Sequence, residues 1–487
     1  MQVIVTIAYV LLFILLICKM KFFAINEFSR KVIVGVFMLK IIAGTFLWWL
    51  YVYRYPGADL LDYFNDGNIL FALLLKHPGQ FFDVVFNNSL YPGLSTWNET
   101  FEHTLYNDAH TMVLLNTLFR FFSFGYIHVH TVFMNFISLV GLTALYKASV
   151  NYFPDRKKVL FAAVFLIPSI LFWTSGVLKE GLLFFGVGTL IYVTNWGLET
   201  SYTGKKVAML LFSIFILILV KIYILFALIP GLLVNIWISR TSLKNIFLKY
   251  VVIFSLMACF AFGLERLIPD YNILKIMTDK QTEALLESNG GVYIYNDQKV
   301  VCINYETRFK QLEKIFNDRY KIKPGSNYMY WKIDNMSVSD SVKNSKDTSV
   351  FTLAYEVIPA KSVIKINPIN SNVFDLIKSI PRAIFNTLVE PKIWNAKGLM
   401  QILSGLENGM FLGFIFVSIF FFNREIKYKP IVFFCLSFVL ILFILIGITT
   451  PVIGAIVRYK TPALPFLAIA LILLIDKKRF LNKAEKR

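Results

Sequence analysis

The sequence predicts an all-α polytopic membrane protein of about eleven transmembrane helices carrying a small α+β extracytoplasmic domain. Three observations predict this. Hydrophobic residues make up 57% of the 487 and charged residues only 16%, whereas a soluble domain carries about 25% charged residues. Apolar stretches close to span length recur along the chain. The basic residues behind the net charge of +19 fall in short clusters between those stretches. That distribution is the pattern of loops facing an anionic leaflet and excludes a nucleic-acid-binding patch.

The first apolar stretch, 2–18, has no basic region before it and is followed by Lys19 and Lys21. A cleavable signal peptide has the reverse order and a small-residue cleavage site, so this segment reads as a retained span entering from outside. Further spans are expected at 32–53, 127–147, 158–174, 177–195, 207–220, 222–239, 250–267, 402–422, 430–449 and 460–475. Two pairs of these run almost continuously, over 158–195 and 207–239. A single helix of about 33 residues would measure roughly 50 Å, against a hydrocarbon core of about 30 Å. Ser175-Gly176 with Lys179-Glu180 interrupts the first run and Lys221 the second, so each reads as a hairpin of two short spans.

The charges agree with the hairpins. The basic clusters begin at Lys19, Lys147, Lys205, Arg240, Arg424 and Lys477. With both hairpins split, all of them fall on one side, which the positive-inside rule makes cytoplasmic. The expectation is a multi-pass membrane protein, N-terminus out and C-terminus in. It has an N-terminal membrane region (1–267) with an external loop at 54–126, an extracytoplasmic domain (268–400) and a C-terminal membrane region (401–487). Within the domain, 292–305 alternates around Asn296-Asp297 and predicts a β-hairpin. The stretch 374–390 has apolar residues at helical spacing and predicts a helix lying along the membrane surface. Cys18, Cys259 and Cys435 sit in apolar stretches and Cys302 stands alone, with no spacing for a zinc site.

The most prominent polar constellation is Asp59, Asp62, Tyr63 and Asp66, directly after the second span and behind a Pro56-Gly57 turn. Asp59 suits a helix N-cap, and in a helix Asp59, Asp62 and Asp66 share one face. Three carboxylates there repel unless a metal, a cationic group or protonation relieves them; the alternative is the solvated face of an interfacial helix. Lys179 and Glu180 at the external tip of the first hairpin either compensate one another and snorkel, or support a substrate phosphate or position a catalytic carboxylate. Lys221, Arg458 and Lys460 are cations at external span ends, where an anionic ligand, lipid headgroups or the external acids would account for them. Glu407, beside Asn408, is an intramembrane carboxylate and so a further candidate. His103, Asp108 and His110 lie in the first external loop. His128 and His130 point to different helix faces, a poor arrangement for a shared metal. No Walker loop, dinucleotide glycine motif or G-x-S-x-G occurs, so an activated group must arrive with the substrate.

Four pieces resemble bacterial multi-span proteins of cell-surface polysaccharide assembly, specifically GT-C-type membrane glycosyltransferases that use lipid-phosphate sugars. They are GADLLDYF after an early span, IPSILFWTSGVLKEGLLFF at a tight hairpin, IPRAIFNTLVEPKIWN before a span and RYKTPALPF opening the last. The resemblance implies that Asp59 or Asp62 acts as general base on an acceptor hydroxyl of a saccharide or glycolipid. The donor would be a polyprenyl-phosphate-linked sugar, its leaving phosphate stabilised by Lys179, Lys221 and Arg458 or by a divalent metal, Mg or Mn. An extra span before the acid motif departs from the family pattern. The same pieces are similar to membrane polysaccharide polymerases. A lipid-linked saccharide transporter or flippase and a non-catalytic assembly protein are the competing readings.

Overall fold

The computed structural model describes residues 1–25, 27–54, 59–87, 91, 93–94, 108–241, 245–268, 272–316, 318–332, 335–347, 349–369 and 372–484. Among the described residues nine helices are long and apolar enough to cross a membrane, and a small antiparallel sheet accompanies them. The chain forms two compact units. One comprises 1–253, 410–442 and 461–487, the other 254–409 and 443–460.

In the first unit α1 (Gln2–Lys19) and α2 (Arg30–Tyr53) pack on α6 (Ile127–Ser149), whose apolar residues are almost all buried. The predicted stretch 158–174 is a broken rod, α7 (Lys157–Phe165) and α8 (Pro168–Trp173), restarted by Pro168 in the first helical turn, where proline's missing N–H costs nothing. Residues 174–178 leave the helix, and α9 (Lys179–Glu199) follows. α9 runs parallel to α6: Asn135 donates to the Ser175 carbonyl (3.0 Å) and Asn195 to that of Ala148 (3.3 Å). Between these points a Cβ on Gly188 would lie 1.9 Å from the Gly141 oxygen. Only glycine lets the two backbones approach this closely.

The long segment α10 (Gly204–Arg240) is interrupted at Lys221, whose backbone is extended (φ −158°, ψ 88°). Its contacts with α9 show a reversal there. Lys206 reaches the Ser201 carbonyl beyond the end of α9 (2.7 Å), Thr189 bonds Ser213 (2.9 Å), and Lys221 lies 3.9 Å from Glu180 at the start of α9. The chain then returns, and Asn235 comes within 3.4 Å of Asn195. The hairpin expected from the sequence is therefore present around Lys221.

The basic clusters gather at one end of this unit. Lys147 lies over the Phe22 ring (5.0 Å), Lys157 bonds Glu27 (2.6 Å), Tyr152 packs on Tyr428 (5.4 Å), and Phe22 meets Tyr192 (6.1 Å) near the Lys206 turn. At the other end α3 (Asp59–Lys76), α4 (Pro78–Asn87) and α5 (Asp108–Ser123) form a helical layer. Thr117 of α5 bonds the Gly67 carbonyl of α3 (3.3 Å), Phe64 meets His130 (5.0 Å), and Thr111 bonds the Leu219 carbonyl (3.0 Å).

The second unit is built on a seven-stranded antiparallel sheet of order β3-β4-β7-β1-β2-β5-β6. The strands are β1 (Gly291–Tyr295), β2 (Lys299–Asn304), β3 (Leu312–Phe316), β4 (Arg319–Ile322), β5 (Ser326–Lys332), β6 (Asn335–Ser345) and β7 (Val350–Val357). The expected hairpin is β1–β2, its turn closed by Asn296, which accepts from the Lys299 N–H (2.9 Å). One sheet face carries the core, with Val292, Ile294, Val301, Ile303 and Phe351 buried. α12 (Ile273–Asn289) ties the sheet to a span end, since buried Gln281 donates to the Ile448 carbonyl of α15 (Lys429–Thr449) at 2.8 Å.

The predicted helix at 374–390 forms as α13 (Val373–Val389). It packs antiparallel to the last turns of α15, with Ala383 against Gly447 and Thr387 bonded to the Phe443 carbonyl (2.9 Å). The small residues Ser379, Ala383 and Thr387 form the packed stripe, which hydropathy alone does not reveal. The remaining apolar helices are α11 (Ile246–Leu267), α14 (Leu399–Phe420), α16 (Ile453–Lys460) and, in the first unit, α17 (Leu464–Leu474).

Candidate functional site

The sequence-derived candidates fall in both units. In the first, α3 begins at Asp59, so Asp59 occupies the first helical turn and not the cap; the Pro56-Gly57 turn lies outside the described residues. The helix places Asp59, Asp62 and Asp66 on one face, as expected. Asp66 is only 1% exposed, and Asp59 and Asp62 are partly exposed. Gly67 makes the burial of Asp66 feasible, because a Cβ there would lie 2.7 Å from the Asn116 side chain of α5. Burial, and then the neighbouring charges of Asp59 and Asp66, hold the Asp62 carboxyl above the usual carboxylate range. Tyr63, 2% exposed, sits beneath the Lys179 ammonium, 5.3 Å from the ring centroid. The fold therefore brings Lys179 to the acid helix across 116 residues of sequence.

The external tip assigned to Phe172–Glu180 is recessed at its centre: Thr174, Ser175, Gly176, Val177 and Leu178 are all buried. Non-helical backbone at membrane depth is tolerated only where protein satisfies it, and two side chains do so. Lys40, in the middle of α2, donates to the Thr174 carbonyl (3.1 Å), the Thr174 hydroxyl (2.5 Å) and the Ser175 hydroxyl (3.2 Å). Asn135 of α6 takes the Ser175 carbonyl. Glu180, 1% exposed, does not snorkel; it faces Lys221 as an interior ion pair. Sequence reasoning missed Lys40, although a lone lysine in the middle of an apolar stretch is itself the signal.

In the second unit Lys460 is 1% exposed and donates to the Thr387 carbonyl (2.9 Å), the Glu390 carbonyl (3.0 Å) and the Asn408 amide oxygen (2.7 Å). These acceptors use all three ammonium protons, so Lys460 closes the C-terminus of α13 and has no proton left for a phosphate. Asn408 in turn donates to the Val389 (3.1 Å) and Pro391 (3.2 Å) carbonyls. Glu407 is buried beside it and Arg458 is half-buried.

Among the described residues no three His, Cys, Asp or Glu side chains are placed to hold a metal ion. His130 is held between Ser123 and Asn116, at 2.6 Å from each. His128 packs edge-on to Trp48 (4.5 Å). His103 and the side chain of Asp108 lie outside the described residues. The chain matches no family model, no curated protein and no solved structure.

Proposed function

We propose that this chain crosses the membrane eleven times, with the basic end cytoplasmic, and that its acidic end transfers a sugar from a polyprenyl-phosphate-linked donor to a saccharide hydroxyl. The count adds the α7–α8 rod and the second limb of α10 to the nine apolar helices. The gathering of the basic clusters at one end of the first unit supports the orientation.

One observation carries the catalytic reading: a carboxylate of raised pKa, Asp62, shares a partly exposed helix with Tyr63 and the overlying Lys179, at the end opposite the basic clusters. A general base works best when its pKa approaches the operating pH. Asp62 would take the acceptor proton, and Lys179 is the cation placed to meet the departing phosphate. Lys40, Lys460 and the Glu180–Lys221 pair have internal partners, which favours this reading over a transport path lined by charge.

The test replaces Asp59 and Asp62 singly by Asn, confirms insertion, and measures surface polysaccharide and lipid-linked precursor in cells lacking the native copy. Asp62→Asn should abolish product and accumulate precursor, while Asp59→Asn should reduce it less. Normal product from both variants would sink the mechanism.

A further inference from the structure

The sheet of the second unit carries a cleft beside its apolar core, with Tyr328 and Val342 shared between the two. An open cleft of about 270 Å³ lies between the end of α12 and the β2-β5-β6 edge, with Asn289, Asn304, Asn327, Met329 and Lys343 in its wall. It is smaller than the roughly 300–1,000 Å³ of drug-sized sites and suits a single sugar ring.

The polar chemistry of the wall is one-sided, set among apolar contacts from Leu286, Cys302, Met329 and Val342. Asn304 commits its oxygen to the Glu306 N–H (2.9 Å) and Asn327 to the Asn344 N–H (2.9 Å). The second bond exists because β5 and β6 change register between Ser326 and Tyr328 and Asn344 adopts a left-handed conformation (φ 57°), freeing its N–H from the ladder. Bulges of this kind re-aim side chains beside binding sites, and asparagine tolerates that conformation. Both carboxamides are thereby fixed by their acceptor ends, and their NH₂ groups have no partner among the described residues. The Tyr328 hydroxyl is already held by Ser345 and Asp347, both at 3.3 Å. With Lys343 added, the cleft offers donors and a positive charge, and among the described residues no acidic side chain lines it.

We infer that this cleft is a saccharide subsite that prefers an acidic sugar, its ring oxygens taken by the asparagine amides and its carboxylate by Lys343. The inference stands on the sheet alone and does not rest on the transfer reaction.

The experiment is saturation-transfer NMR on the full chain in detergent micelles, with glucuronate and glucose as probes. Glucuronate should bind in the millimolar range and out-compete glucose. Lys343→Ala should weaken it about tenfold, the loss of one good polar contact, and Asn289→Trp, which fills the cleft from an exposed position, should abolish the signal. Unchanged resistance of Cys302 to alkylation in each variant verifies that the cleft wall is intact. No transfer to either sugar, equal binding of both, or full binding by Asn289→Trp would each overturn the assignment.

Discussion

At the residue scale one arrangement occurs twice: a buried lysine and a buried asparagine together satisfy an interrupted backbone. Lys40 and Asn135 do so for Thr174 and Ser175, and Lys460 and Asn408 for the end of α13. Leaving a buried acceptor unmade costs about 1–3 kcal/mol, so Lys40→Met should lower the thermal-unfolding midpoint of the solubilised protein clearly. Exposed Lys378→Met should leave it unchanged and is the control. Asp62 gives a pH prediction. Its folded pKa is raised, so the ionised form is disfavoured by folding, and activity requiring the carboxylate should fail at a higher pH than an exposed aspartate would allow. Asp59→Asn removes one repelling charge, so a pH–rate profile should show the acid limb moving to lower pH. On the sheet the sign is opposite. Burial opposes ionisation of Asp347, but bonds from Lys299 and Ser349 hold it down at about 2. Its contribution is therefore complete above the ordinary carboxylate pKa and disappears as pH falls toward 2, readable as loss of the sheet's circular dichroism. The acid face was legible because helical spacing aligns charges from local sequence. Lys179 over Tyr63 was not, since no local pattern reports a contact between distant segments.

At the element scale, cations close the carbonyl ends of helices. Arg30 bonds the Cys18 carbonyl of α1, and Arg156 bonds Ile472 and Ile475 at the end of α17. Lys206 closes α9, Lys40 closes α8 and Lys460 closes α13. The last carbonyls of a helix lack internal partners and carry the negative end of its dipole, and in hydrocarbon no water can replace the missing donor. This explains why Lys460, suspected from sequence as a phosphate ligand, is placed as a cap. Close packing gives a second test. Gly188→Ala would drive its methyl into the Gly141 carbonyl, and over-packing of this kind costs about 1–3 kcal/mol. A lower melting temperature is expected, whereas Gly35→Ala, with open space around it, should be neutral.

At the scale of the whole molecule, hydropathy and charge made the helices, the β1–β2 hairpin and the gathering of basic clusters legible, because each follows from local periodicity. The recessed tip at 174–178 and the packing of α13 on α15 were not legible. Both depend on small residues and single polar side chains that hydropathy averages away. Cysteine chemistry offers a global check. Cys302 is buried and its thiol is pushed up to about 11, so maleimide should modify it only on unfolding, and mass spectrometry of the labelled chain would show this. The Lys40 contact also has a consequence for biosynthesis. Its acceptors begin 134 residues downstream, so at about 5–20 residues per second roughly 7–27 s of translation separate the lysine from its first partner. Lys460, in contrast, is made after every group it binds. The N-terminal spans must therefore wait, near the translocon or snorkelling toward a headgroup, until the codons for Thr174 and Ser175 have passed the ribosome and the lysine can be drawn inward.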